Sequence, residues 1–287
     1  MKQRKKVFLV RGAGLAVLLF MAAAACFPVF FLLSGSLMSG DELKENLAPV
    51  LAGGGGYVKW SFLPRFPTLK SWVKLLLDTP EVFVMFWNSV KMTAAILGGQ
   101  LLVGVPAAWG FARYSFRGKK FLFRLYIILM MMPFQVLMLS EYLLFDRLHM
   151  LDSQLAVVVP AVFSTFPVFL MYRFFCQVPE AIIESAKLDG AGDLRIFLHF
   201  GLPLGSPGIV SAMVLGFLEY WNLIEQPLTF LKNKALWPMS LFLPDIDLSR
   251  AGMAFATSVL ALIPALFVFL GGKDYLEQGI VAAAVKE

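Results

Sequence analysis

Residues 251–272 read AGMAFATSVLALIPALFVFLGG, a run without Asp, Glu, Lys or Arg. At about 1.5 Å of rise per residue, a helix of this length crosses the roughly 30 Å hydrocarbon core of a bilayer. Its apolar side chains continue round every face and do not alternate with polar ones, which favours a spanning helix over a barrel strand. The same pattern recurs outward from this stretch. Residues 12–33, 92–111 and 153–172 are also free of charge, 125–145 is interrupted only by Glu141, and 200–218 is uncharged with Pro203 and Pro207 near its start. Six spans are expected, at about 12–33, 90–111, 125–145, 153–173, 204–225 and 251–272. The expected fold class is all-α integral membrane: a six-helix transmembrane bundle forming one domain over 1–287.

Composition agrees. Of 287 residues, 59% are hydrophobic and 15% charged, against about 25% charged in an ordinary soluble domain. A soluble enzyme, a secreted disulfide scaffold and a disordered tail are excluded. Cys26 and Cys176 lie far apart in apolar runs and read as small buried hydrophobes. The net charge of +6 is explained by its distribution. Lys2, Arg4, Lys5, Lys6 and Arg11 precede the first span, and Arg113, Arg117, Lys119, Lys120 and Arg124 follow the second. Both groups belong on the cytoplasmic side, which puts the amino and carboxyl ends inside. These residues anchor the chain to membrane lipid, and no basic run with interleaved aromatics suggests a nucleic-acid surface. Cys26 after Ala23-Ala24-Ala25 also resembles a lipoprotein cleavage site, but residues 27–33 are hydrophobic where a polar tether would follow.

Residues 34–80 form an expected external lobe, whose length lets its basic residues translocate. Asp41-Glu42-Leu43-Lys44 is polar, Gly53 to Gly56 is a hinge or loop tip, residues 62–68 are turn-rich, and a short amphipathic helix is expected around 69–77. A connector lying on the bilayer and a docking surface for an external partner are both compatible with this pattern.

The loop over 178–203 is the most informative stretch. Pro179 suits a helix start, Glu180 and Glu184 sit favourably toward its amino end, and Ala181, Ile182, Ala186 and Leu188 supply an apolar side. Gly190 is a left-handed stop, and Asp193 can cap a second short helix through about Phe200. The expected product is a two-helix knuckle facing the cytoplasm, with Ala186, Gly190 and Ala191 exposed at the bend and Glu184 and Asp189 offered to basic groups. An ordinary connecting loop would carry similar residues.

The stretch Glu184-Ser185-Ala186-Lys187-Leu188-Asp189-Gly190-Ala191, with Leu202-Pro203-Leu204 and Pro207 after it, resembles the EAA loop of ABC importer permeases. Serine stands at the second motif position. The likeness runs along nearly the whole chain and is closest to carbohydrate-importer permeases of the maltose-transporter type. Asn88-Ser89, Ala107-Ala108-Trp109-Gly110-Phe111-Ala112-Arg113, Phe116-Arg117-Gly118-Lys119, Met132-Pro133, Phe217, Trp221-Asn222 and Pro227-Leu228 carry it. The chain departs from that pattern at Ile183, at His149-Met150 and in its last ten residues. The resemblance implies a multi-pass permease in a bacterial or archaeal cell membrane. It also implies as partners a second homologous permease subunit, two cytoplasmic ATP-binding subunits and an extracytoplasmic solute-binding protein. Glu184, Ser185, Ala186, Asp189, Gly190 and Ala191 would then couple the chain to its ATPase.

The chain carries no phosphate-cradling Gly-x-x-x-x-Gly-Lys-Ser/Thr motif. His149 and His199 lack companions at ligand spacing, so neither a cofactor nor a metal is expected. ATP hydrolysis is assigned to partner subunits, not to this chain. Polar residues within spans are costly in hydrocarbon and mark a pathway or interhelical packing. Gln100, Gln135, Glu141, Glu219, Asn222, Glu225 and Gln226 qualify. Glu219, Asn222 and Gln226 fall at i, i+3 and i+7 with Tyr220 and Trp221 beside them, a combination of rings, amides and carboxylate that suits sugars. The expected function is a transmembrane permease subunit of an ATP-driven, binding-protein-dependent importer of a sugar or oligosaccharide. A permease for another solute, a secondary transporter and a membrane enzyme are the alternatives.

Overall fold

A computed structural model describes residues 2–51, 56–58, 61–242 and 250–284; side chains are described for 12, 14–50, 56–58, 61–242 and 250–277. In chain order the helices are α1 (Lys2–Leu37), α2 (Gly40–Leu51), α3 (Lys70–Leu77), α4 (Pro80–Arg113), α5 (Lys119–Met130), α6 (Phe134–Arg147) and α7 (Leu155–Val162). They continue with α8 (Thr165–Gln177), α9 (Glu180–Leu188), α10 (Asp193–Ile196), α11 (Leu202–Trp221), α12 (Glu225–Phe230) and α13 (Ala251–Ala284). Among the described residues there is no β-strand. Among the described residues five stretches are long and apolar enough to cross a membrane: Gly14–Leu37, Pro80–Arg113, Leu155–Gln177, Asp193–Trp221 and Ala251–Glu277. The bent pair α5–α6 makes a sixth if it counts as one span.

The chain divides into two compact units, residues 1–80 with 243–262, and residues 81–242 with 263–287. In the first unit the Glu42 carboxylate, buried on α2, accepts hydrogen bonds from the Arg65 backbone N–H (2.9 Å) and the Ser61 hydroxyl (3.3 Å). A turn-rich segment is thereby held without regular structure of its own. Trp72 on α3 donates to Ser36 Oγ (3.3 Å), and Phe31 meets Phe255 edge to face at 5.0 Å. The amphipathic helix expected around 69–77 forms as α3, and the polar stretch at 41–44 lies inside α2. Gly53 to Gly55 of the glycine run, and the side chains of Lys2, Arg4, Lys5, Lys6 and Arg11, lie outside the described residues.

In the second unit the main core is built where α4, α8, α9, α10 and α11 meet, around Trp109, Phe111, Met171, Phe174, Phe175, Ile183 and Ile196. The outer faces remain apolar: Leu102 on α4, Leu139 on α6 and Phe267 on α13 are all exposed. Lipid accepts such a surface as readily as a protein interior does, so spanning helices need not hide it. For the same reason Cys26 and Cys176, expected to be buried, are both exposed on the outside of the chain.

Two spans differ from the expected uniform helices. The stretch expected at 125–145 turns through 102° between α5 and α6. Pro133 has no N–H to give to the α5 ladder, and its ring pushes Met132 away from the helical region. Pro133 itself is extended, at φ −71° and ψ 147°. The second helix of the 178–203 loop does not end near Phe200. From α10 the chain passes through one wide π turn, Phe197–Gly201, and continues as α11. Pro203, which offers no N–H, directly follows this looser turn at the start of α11, and Pro207 lies inside α11.

Candidate functional site

The knuckle is shaped by its backbone. Pro179 is extended before α9, which ends in a Schellman turn: Gly190 N–H donates to Lys187 O and Ala191 N–H to Ala186 O, both at 3.0 Å. Gly190 has φ +78°, a left-handed conformation that costs a side-chain-bearing residue about 1–2 kcal/mol. Gly192 is extended and leads directly into α10.

One side of α9 faces the core through Ile183 and Ala186. Ala186 is 4% exposed, which corrects its expected place as an exposed small residue; Ala191 is half-buried against the same core. Burial of positions 183 and 186 leaves the expected apolar residue Leu188 on the other side. Leu188 is 89% exposed and Leu194, on α10, 69%. Glu184, Ser185, Asp189 and Gly190 are exposed with them. The outer surface of the knuckle therefore mixes carboxylates with two bare leucines.

Arg113, read from sequence as a positive anchor and as the end of the family-like stretch 107–113, fastens this knuckle to α4. Its Nη2 donates to Phe175 O (2.8 Å) and to Val178 O, the carbonyls that end α8 before α9 begins. Its guanidinium sits 5.4 Å from the centre of the Trp109 ring, which meets Phe175 edge to face at 5.3 Å and Phe197 of the π turn at 5.7 Å. Spacing alone gave no signal for this clamp, because its acceptors are backbone carbonyls more than 60 residues away.

The second feature is a cavity of about 560 Å³ among α5, α6, α7, α8, α11 and α12. Glu141, Ser164, Glu219, Tyr220 and Gln226 supply polar groups to its wall, and Phe134, Phe166 and Phe230 supply rings. The candidate pathway residues separate here. Glu219 and Tyr220 line the cavity, whereas Trp221 is buried between Phe217, stacked at 5.5 Å, and Phe86, edge-on at 5.6 Å. Asn222 bonds back to Leu218 O (2.8 Å) and is not part of the lining. The expected single helical face fails because α11 stops at Trp221 and Gln226 belongs to α12. Gln226 still reaches the cavity, by way of the turn.

Gln100 on α4 donates to the Tyr220 hydroxyl (2.9 Å) and to Ala161 O (2.8 Å), fixing the tyrosine at the wall. Gln135 donates to both oxygens of Glu225, at 2.7 and 2.8 Å, so that pair is satisfied away from the cavity. Asn88 Nδ2 donates to Ala235 O and Trp237 O, and Asp152 Oδ1 accepts from the backbone N–H groups of Lys232 and Asn233, tying down the segment after α12. Among the described residues no group of three or more His, Cys, Asp or Glu is placed to hold a metal ion.

Residues 100–282 match the family described as "binding-protein-dependent transport system inner membrane component". The arabinooligosaccharides transport system permease protein of Bacillus subtilis is 29% identical over 279 residues, covering 91% of this chain and 90% of that one. A probable ABC transporter permease protein of Pyrococcus horikoshii is 31% identical over 236 residues, covering 79% and 85%. Among solved structures, a bacterial ABC transporter involved in import of the acidic polysaccharide alginate contains a chain with the same fold. Its TM-score is 0.80 and its identity 21%, over 93% of this chain and 96% of that one.

Proposed function

The chain belongs to the family of inner-membrane components of binding-protein-dependent transport systems, and from that premise we propose that it imports an oligosaccharide with the Glu180–Ile196 knuckle as its coupling element. It is a permease subunit, not an enzyme; ATP hydrolysis in this family lies in separate subunits, and the chain is an integral component of the inner membrane. In the complete importer it pairs with a second homologous permease, two cytoplasmic ATP-binding subunits and an extracytoplasmic solute-binding protein. Its amino and carboxyl ends and the knuckle face the cytoplasm.

The observation that carries the reading is the two-sided build of the knuckle. Ile183, Ala186 and Ile196 root it in the core, while Glu184, Leu188, Asp189 and Leu194 stand bare on its outer surface. A bare leucine beside a carboxylate suits a partner cleft that is apolar with a basic rim. ATP-driven closure of the two ATPases would push on this element. Trp109 and Arg113 would pass the push to α4 and α8, and the bundle would switch between two packed states. The oligosaccharide assignment rests on the relatives named above and on a cavity that offers rings, hydroxyls, an amide and carboxylates together.

Glu184→Ala and Gly190→Trp are expected to abolish uptake while ATP hydrolysis by the membrane complex persists and the protein remains in the membrane. Wild-type uptake by both variants would remove the coupling role.

A further inference from the structure

Within the oligosaccharide reading, the charge on the cavity wall narrows the class of solute. Among the 19 lining residues the ionisable carboxylates are Glu141 and Glu219, and neither Lys, Arg nor His is present. Neither carboxylate accepts a hydrogen bond from another described residue, in contrast to Glu225, which is held by Gln135. Tyr220 is fixed from behind by Gln100, so its ring is a pre-set wall, and Phe166 adds a partly exposed ring. Ser164 and Gln226 contribute a hydroxyl and an amide.

We infer that this cavity is a subsite for an uncharged, hydroxyl-rich sugar and turns away oligosaccharides built from uronic acids. An ionised carboxylate is purely an acceptor and needs donors, which sugar hydroxyls supply in pairs. A uronate in the same place brings a negative charge toward two others in surroundings where water screens poorly, and no cation on the wall offsets it. The apolar faces of a neutral pyranose or furanose stack on the rings. This inference depends on the oligosaccharide reading, and the experiment separates the two.

In cells whose only uptake route is the complete importer, arabinotriose and trigalacturonate serve as the neutral and acidic probes. Wild-type protein is expected to take up arabinotriose at least about tenfold faster than trigalacturonate. Glu141→Gln and Glu219→Gln, alone and combined, are expected to shrink that preference several-fold at equal membrane abundance. Glu225→Gln, already engaged and off the wall, should leave it unchanged. Equal uptake of the two probes by wild type, or an unchanged preference in both cavity variants, overturns the assignment of the cavity but leaves an oligosaccharide permease. If wild type takes up neither probe, the oligosaccharide reading itself falls, and the subsite with it.

Discussion

Gln100 shows how one polar side chain in a span can be structural and still serve the pathway. It is 1% exposed, and its amide bonds Ala161 O and the Tyr220 hydroxyl across two neighbouring elements. Gln100→Leu keeps the volume but leaves both acceptors without their donor in a dry interior, a loss of about 1–3 kcal/mol. A lowered thermal unfolding midpoint of the detergent-purified protein is the expected outcome, with Tyr220→Phe showing a smaller drop. Gly190 makes a second residue-scale case, since its φ of +78° excludes an ordinary side chain while Gly192, at φ −72°, does not. Gly190→Ala is expected to cost about 1–2 kcal/mol and to open the knuckle to limited proteolysis; Gly192→Ala should behave as wild type. The left-handed stop at Gly190 was legible because glycine after an apolar helix has few other uses. That Trp221 and Asn222 stand off the cavity wall was not legible, because their neighbourhood depends on where α11 ends, and no Gly or Pro stands between Tyr220 and Leu223 to mark that end.

At the scale of elements, the most extensively packed helix pair in the second unit is α8 and α11. A Cβ added at Gly205 would run into the ring of Phe175, and one at Gly208 into that of Phe174. Two glycines three residues apart on α11 thus open a groove that two rings on α8 fill, a dense form of the small-residue packing on which membrane helices depend. Gly205→Ala is expected to force the helices apart and destabilise by about 1–3 kcal/mol. Combining it with Phe175→Leu should recover part of the loss, which a double-mutant cycle on thermal stability would register. Strictly additive losses would mean that the two side chains do not meet. Long uncharged runs made α1, α4 and α13 easy to read, because length and hydropathy alone decide a spanning helix. The break in the third span and the π turn that leads into the fifth were not visible. A proline inside an apolar run is compatible with a straight, kinked or broken helix: Pro106 and Pro264 lie inside continuous helices, while Pro133 separates two. Which outcome holds depends on whether neighbouring elements satisfy the freed carbonyls, and that is a property of packing.

At the scale of the whole molecule, the 102° bend between α5 and α6 decides more than local shape, because it sets the parity of membrane crossings. If the pair crosses, the chain makes six passes and its ends share one side. If the pair enters and returns, only five stretches cross and the carboxyl end emerges opposite the amino end. By the positive-inside rule the basic residues Arg113, Arg117, Lys119, Lys120 and Arg124 favour a cytoplasmic start for α5, the placement we propose. The side on which α6 ends then fixes the count. Coupling by the knuckle requires residues 180–196 on the ATPase side, and the span 155–177 must then begin outside, so the bent pair has to cross. Ser115 and Leu148 flank the pair and are both exposed, which makes them suitable reporters. With Cys26 and Cys176 first replaced by serine, Leu148→Cys is expected to react with an impermeant thiol reagent in intact cells. Ser115→Cys should react only after the membrane is opened. Labelling of both positions from the same side would make the pair re-entrant, place the knuckle away from the cytoplasm, and remove the route by which ATP hydrolysis could reach this chain.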